Sequence, residues 1–117
     1  MQIAAPPGCE PAARLFFGEL LGLAELEKPE RLRASGGAWF ELADGRELHI
    51  GVEQEFAPSL KAHPALRADP AEIDALAARL LDAGFAVRWD EALPGVRRFF
   101  TPDPWGNRVE LLAAAPA

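Results

Sequence analysis

Few residues in this chain can carry chemistry. Its 117 residues include two histidines, His49 and His63, one cysteine, Cys9, and no tyrosine. Imidazole chemistry, as general acid–base work or metal ligation, must therefore use His49 or His63. Cys9 alone makes neither an internal disulfide nor a CxxC zinc site. It precedes a helix with no histidine near it in the pattern, a poor setting for a nucleophile. The histidines sit in or beside runs of strand-like alternation. Leu48 and Ile50 flank His49, and Pro64 and Leu66 follow His63 in the same phase. Alternation thus turns both histidines, with Ala65 and Arg67, away from the apolar face. The run Val109–Glu110–Leu111 does the same for Glu110. Two imidazoles and one carboxylate are expected on the non-helix face of a sheet.

The elements that must position them follow from periodicity and punctuation. Met1–Ala5 reads as a short strand. Glu10–Pro11 opens a helix running to about Leu21, with Leu15, Phe16, Leu20 and Leu23 as its apolar stripe and Gly22 as its stop. Residues 24–35 read as a weak strand and a loop. Ala38–Leu42 and Arg46–Glu53 are strands joined at Asp44–Gly45, a strong hairpin signal. His63–Ala68 is a strand, and Asp69–Pro70 starts a helix with Ile73, Leu76, Ala77, Leu80 and Leu81 buried. Gly84 ends it. Phe85–Trp89, Val96–Thr101 and Arg108–Leu112 are strands, the last preceded by a tight turn over Pro102–Asn107.

Composition bounds the rest. Half the residues are apolar and 26% are charged, as in a folded domain. The net charge of −6 and a pI near 4.9 argue against a nucleic-acid partner. No apolar run approaches the roughly 20 residues that span a bilayer, and MQIAAPPG lacks the basic and apolar regions of a signal peptide. A cytoplasmic protein with neither nucleic acid nor membrane as partner is expected.

The chain also repeats. Shifted by 63 residues, Ile3–Pro7 falls on Leu66–Pro70; shifted by 61, Gly45–Ile50 falls on Gly106–Leu111. Both halves read strand, helix, then about three strands. Two βαβββ modules follow, Met1–Glu55 and His63–Leu112, within a single domain. His49 and Glu110 occupy equivalent positions.

The closing run Arg98–Leu111, with its Asp103–Pro104–Trp105–Gly106–Asn107 turn, resembles the aromatic strand, DPxGN turn and final strand of the vicinal oxygen chelate superfamily. Leu15–Leu23 is similar to that family's FYxxxLGL signature. The superfamily holds glyoxalase, bleomycin resistance, fosfomycin resistance and extradiol dioxygenase proteins. The resemblance implies an α+β glyoxalase/bleomycin resistance/dioxygenase fold, in which two βαβββ modules form an incomplete barrel around a cavity. It further implies one divalent metal there, held from the first and last strands of each module. Glu110 matches the last-strand ligand of the second module and the catalytic carboxylate, His63 its first-strand ligand, and His49 the last-strand position of the first module. The remaining ligand position falls one residue before Met1; Gln2 lies two residues on, on the same face.

A His49, His63, Glu110 set suits Fe(II), Mn(II), Ni(II), Co(II) or Zn(II), with open positions for substrate oxygens. Such a metal stabilises an enediolate or chelated diol, in lyase, isomerase, transferase or dioxygenase chemistry. The plainer reading makes all three residues polar lining of a cavity. Gln2, Trp39, Arg98 and Arg108 are the expected substrate-binding residues, and Phe100 is a further lining candidate. Arg97 or Arg98 must point inward, and inward arginines suit an anionic substrate. The preferred reading, however, pairs Arg67 and Arg108 with Glu47 or Glu53 at the rim. Two other functions remain open: a metal-free protein that sequesters a small aromatic or antibiotic ligand, and a ferredoxin-like interaction domain. A symmetric homodimer is expected for modules of this size.

Overall fold

The computed structural model describes residues 1–116. The chain divides into two compact units, the first Met1–Pro58 and the second beginning at Ser59. The first unit comprises β1 (Gln2–Ala5), α1 (Glu10–Ala13) continuing as π-helical turns over Arg14–Leu20, β2 (Ala24–Leu26), α2 (Glu30–Arg33), β3 (Ala38–Glu41) and β4 (Glu47–Val52). Its sheet has the order β1-β4-β3-β2, with β1 parallel to β4 and the other pairs antiparallel. The second unit comprises β5 (Ala65–Arg67), α3 (Ile73–Asp82), β6 (Arg88–Asp90), β7 (Val96–Pro102) and β8 (Arg108–Ala114), in the order β5-β8-β7-β6 with the same parallel and antiparallel pairs. This is an α+β fold of two βαβββ modules.

The repeat holds at the level of hydrogen-bond register. Gln2 lies opposite His49 as Ala65 lies opposite Glu110. Trp39 lies opposite His49 as Phe100 lies opposite Glu110. The shifts of 63 and 61 residues seen in the sequence are therefore those of the backbone ladder.

Each sheet buries one face under its own helices. In the first unit Phe16, Phe17, Phe40, Leu48 and Ile50 are inaccessible or nearly so; in the second, Ile73, Leu80, Phe99 and Val109 are. Burial of each such side chain contributes about 1.5–3 kcal/mol. The Asp44–Gly45 turn closes the β3–β4 hairpin through Leu42 N–H to Arg46 O at 2.8 Å.

Several local readings need correction. The first helix buries Ala13, Phe16, Phe17 and Leu21, whereas Leu15 is 44% exposed. The cause is the π turn: Leu21 N–H bonds Phe16 O, five residues back, and the wider turn rotates the buried stripe off its 3.6-residue course. Residues 24–35 contain β2 and the single helical turn α2. Helix α3 begins at Ile73, not Pro70, because Asp69 Oδ1 accepts from Ala71 N–H and closes a separate turn first. Leu81, one position off the stripe of α3, is 56% exposed. Phe85 is not in a strand: its N–H bonds Leu80 O and finishes the helix, so β6 starts only at Arg88.

Two features of the first unit give tests. Gly37 has φ +88°, and a Cβ there would stand 2.1 Å from Ile50 O. Its N–H donates to Glu10 Oε2 at 2.8 Å, which holds the Glu10 carboxyl below its usual range. Gly37→Ala should destabilise by about 2–4 kcal/mol, through left-handed backbone strain and a clash with unyielding main chain, read in chemical denaturation. Cys9 is buried, and burial with the neighbouring Glu10 carboxylate pushes its thiol up to about 11. At pH 8 its thiolate fraction is then about 100-fold below that of an ordinary thiol. Alkylation of native protein should be slow at pH 8 and should become as fast as a model thiol's on unfolding.

Candidate functional site

The Asp103–Asn107 turn organises the second module. The Asp103 carboxylate is buried, and its Oδ1 accepts from Trp105 N–H at 3.0 Å and Asn107 N–H at 2.9 Å, while Oδ2 accepts from Asn107 Nδ2 at 2.8 Å. Burial nevertheless raises its pKa, outweighing these donors. Asn107 Oδ1 in turn accepts from Ser59 N–H at 2.9 Å, and Arg108 N–H donates to Ser59 O at 2.9 Å. The turn thereby pins the segment that leads to His63 against the start of β8. Ser59 Oγ then donates to Ala62 O at 2.7 Å and shapes the last bend.

His63 stands just before β5, outside the ladder. Its Nδ1 lies 2.9 Å from Lys61 O, and its Nε2 lies 2.9 Å from Glu110 Oε1. A carbonyl oxygen can only accept, so Nδ1 carries a hydrogen. In the neutral ring Nε2 then presents a lone pair toward a carboxylate oxygen. Two such acceptors at that distance call for a cation between them, either a proton or a metal ion. The spacing is that of an ordinary hydrogen bond, and also that of two ligands about 2.1 Å from one ion at right angles, about 3.0 Å apart.

Around this pair the open face of the second sheet is laid out in rows by register. Ala65, Glu110, Phe100 and Arg88 lie side by side; Arg67, Leu112, Arg98 and Asp90 form the next row; Arg108 and Pro102 flank the first row on its other side. Arg98 reaches Glu110 Oε2 at 3.4 Å and is held more firmly by Asp90 Oδ1, at 3.0 Å from Nη2 and 3.1 Å from Nε. Asp90 is kept below the usual carboxylate range by Ala92 N–H and then by Arg98. The Phe100 ring meets His63 edge-on at 5.5 Å, with the guanidinium carbons of Arg88, Arg98 and Arg108 at 4.9, 5.2 and 5.6 Å from its centre.

The first module carries different chemistry on its equivalent face. His49 stacks on Trp39, ring centres 3.8 Å apart and planes 2° from parallel, and its Nε2 lies 2.9 Å from Glu47 Oε1. Gln2 lies opposite His49, and its amide occupies the space above Gly51 that a Cβ would need. Glu41 and Glu47 form an acidic row beside them. Among the described residues no group of three or more His, Cys, Asp or Glu side chains stands close enough to hold a metal ion. His63 and Glu110 are a two-donor set.

Arg98 is the inward arginine of its pair. Arg97 turns to the helix side, where it bonds Asp74 Oδ1 at 2.6 Å and lies over Trp89. Glu47 pairs with His49 within the first unit, and among the described residues of the second unit Arg67, Arg88 and Arg108 make no ion pair. Sequence reasoning missed Arg88 and Asp90. The strand read as Phe85–Trp89 begins three residues early and stops one short of Asp90.

No family model matches the chain, and no curated protein matches it. Solved structures do. A glyoxalase family protein from Bacillus anthracis is 46% identical, with a TM-score of 0.90 over 97% of this chain and 91% of that one. A glyoxalase/dioxygenase from Nostoc punctiforme is 27% identical, TM-score 0.77, over 98% of this chain and 90% of that one. The fosfomycin resistance protein of Listeria monocytogenes shares the fold at 17% identity, TM-score 0.73, over 98% of this chain and 90% of its own. The identity to the Bacillus protein along nearly both full lengths, joined to the duplicated βαβββ ladder and the DPWGN turn, establishes that the chain belongs to the glyoxalase family of the vicinal oxygen chelate superfamily.

Proposed function

We propose that this glyoxalase-family protein binds a divalent metal and a small oxygen-chelating substrate, with His63 and Glu110 as metal ligands. The observation that carries the reading is the His63 Nε2 to Glu110 Oε1 approach at 2.9 Å, with Nδ1 tied to Lys61 O. That tie fixes the ring orientation and leaves Nε2 directed at the carboxylate, the arrangement in which an outer partner tunes a ligating histidine. When bound, the metal supplies Lewis-acid polarisation of substrate oxygens. Glu110 is the catalytic candidate, since its carboxylate can exchange a proton with a carbon or hydroxyl beside a polarised oxygen. Arg98 steadies Glu110 through Oε2, and Arg98 and Arg108 offer donors to substrate. Gln2 and Trp39 are the binding candidates of the first module.

A metal-free sequestering protein is the alternative, and one observation favours it. The Arg98 guanidinium already approaches Glu110 at 3.4 Å, which lowers the appeal of that carboxylate to a second cation. Elemental analysis with metal titration separates the two. Outer-shell partners are worth about 10–100-fold in metal affinity, so a direct ligand is worth about 100-fold or more. His63→Ala and Glu110→Gln should each lose that much affinity. Affinity should fall as pH is lowered, because protons compete for imidazole and carboxylate alike. Wild-type protein that binds no divalent ion stoichiometrically would leave the sequestering reading.

A symmetric homodimer goes with this proposal. Sedimentation equilibrium should give twice the 12.6 kDa chain mass at micromolar concentration; a monomer there argues against it.

A further inference from the structure

We infer that the open face of the second sheet binds an organic anion, a small molecule bearing a carboxylate or phosphonate on an apolar frame. The inference deepens the proposed function, since it names the substrate class for the surface around His63 and Glu110. It stands on a local inversion of charge. The chain carries 18 acidic against 12 basic side chains, net −6. Yet the register gathers Arg67, Arg88, Arg98 and Arg108 on one face of one sheet, against Asp90 and Glu110. Arg98 is occupied by those two carboxylates. Arg67, Arg88 and Arg108 have no ion pair among the described residues.

Guanidiniums on a shared face repel one another, and four stand here against two carboxylates. What holds two of them is Phe100, with Arg88 at 4.9 Å and Arg108 at 5.6 Å from the ring centre. A cation held over a ring spends none of its N–H donors on a hydrogen bond, and among the described residues neither Arg88 nor Arg108 makes an ion pair. Edge donors pair bidentately with the oxygens of carboxylate, phosphonate or phosphate. The Phe100 ring, half-buried between these groups, supplies apolar contact at its exposed part. A neutral ligand would gain the ring and forfeit the charge-assisted bonds.

The test is isothermal titration of metal-free and divalent-loaded protein with phenylphosphonate and benzoate, and with benzamide as the neutral counterpart. Both anions should bind wild type, and benzamide should bind at least about tenfold more weakly. The double variant Arg88→Gln/Arg108→Gln should weaken the anions by about tenfold or more, while Arg31→Gln, on the exposed turn α2, should not. Added salt should weaken anion binding in wild type more than in the double variant. Circular dichroism melts establish that the variants are folded, and a folded double variant with undiminished anion affinity overturns the inference. So does a wild type that binds neither anion or binds benzamide as tightly. Metal titration of the same proteins separates this result from the proposed function. Loss of anion binding with metal affinity intact in the double variant supports the anion site. Absence of metal in wild type, with anion binding still dependent on Arg88 and Arg108, sinks only the metal reading.

Discussion

Asp103 is a buried charge at the base of a turn, and the second module is built around satisfying it. Its carboxylate takes N–H donors from Trp105 and from both the backbone and side chain of Asn107, all within the next four residues, so the chain must reverse within that span. The reversal aligns β7 with β8 and sets the register that puts Phe100 opposite Glu110. Asn107 completes the work by turning its own oxygen outward to Ser59, which draws the approach to β5 alongside. A buried acceptor left short of donors costs about 1–3 kcal/mol, more when charged. The constraint is therefore strong enough to fix geometry several residues away, at His63.

The pleat divides labour along each strand. On β8, Val109 and Leu111 are buried under the helix, while Arg108, Glu110 and Leu112 lie on the other face. The same division on β4 puts Leu48 and Ile50 inward and Glu47 and His49 outward. The two modules share a ladder and differ in what the open face carries: a stacked imidazole with acidic neighbours in one, a carboxylate ringed by guanidiniums in the other.

Period-two alternation and the repeat made most of this legible in the sequence. Both rest on the side-chain direction that the ladder enforces, so His49, Glu110 and Phe100 could be assigned to a face without coordinates. The misreadings have physical causes of the opposite kind. The π turn after Ala13 is one extra residue per turn, invisible to a 3.6-residue template. The start of β6 depends on whether Phe85 N–H goes to the helix or to a neighbouring strand, a competition decided by tertiary contact. The pairing of Arg98 with Asp90 and Glu110 depends on side-chain reach. So does the hold of Lys61 O on His63, since a backbone carbonyl leaves no mark in residue type.

Gly37 occupies in the first module the place that Arg98 holds in the second, one step before the strand residues that pair with Ile50 and Leu111 respectively. Its missing Cβ is a condition of the chain path, because the Ile50 carbonyl fills that space. No side chain of any kind can be installed there without rebuilding the start of β3. The asymmetry between the modules is thus steric as well as chemical. A guanidinium is accommodated at this position of the second module and no side chain is accommodated at it in the first, so the two halves of the repeat are not interchangeable there.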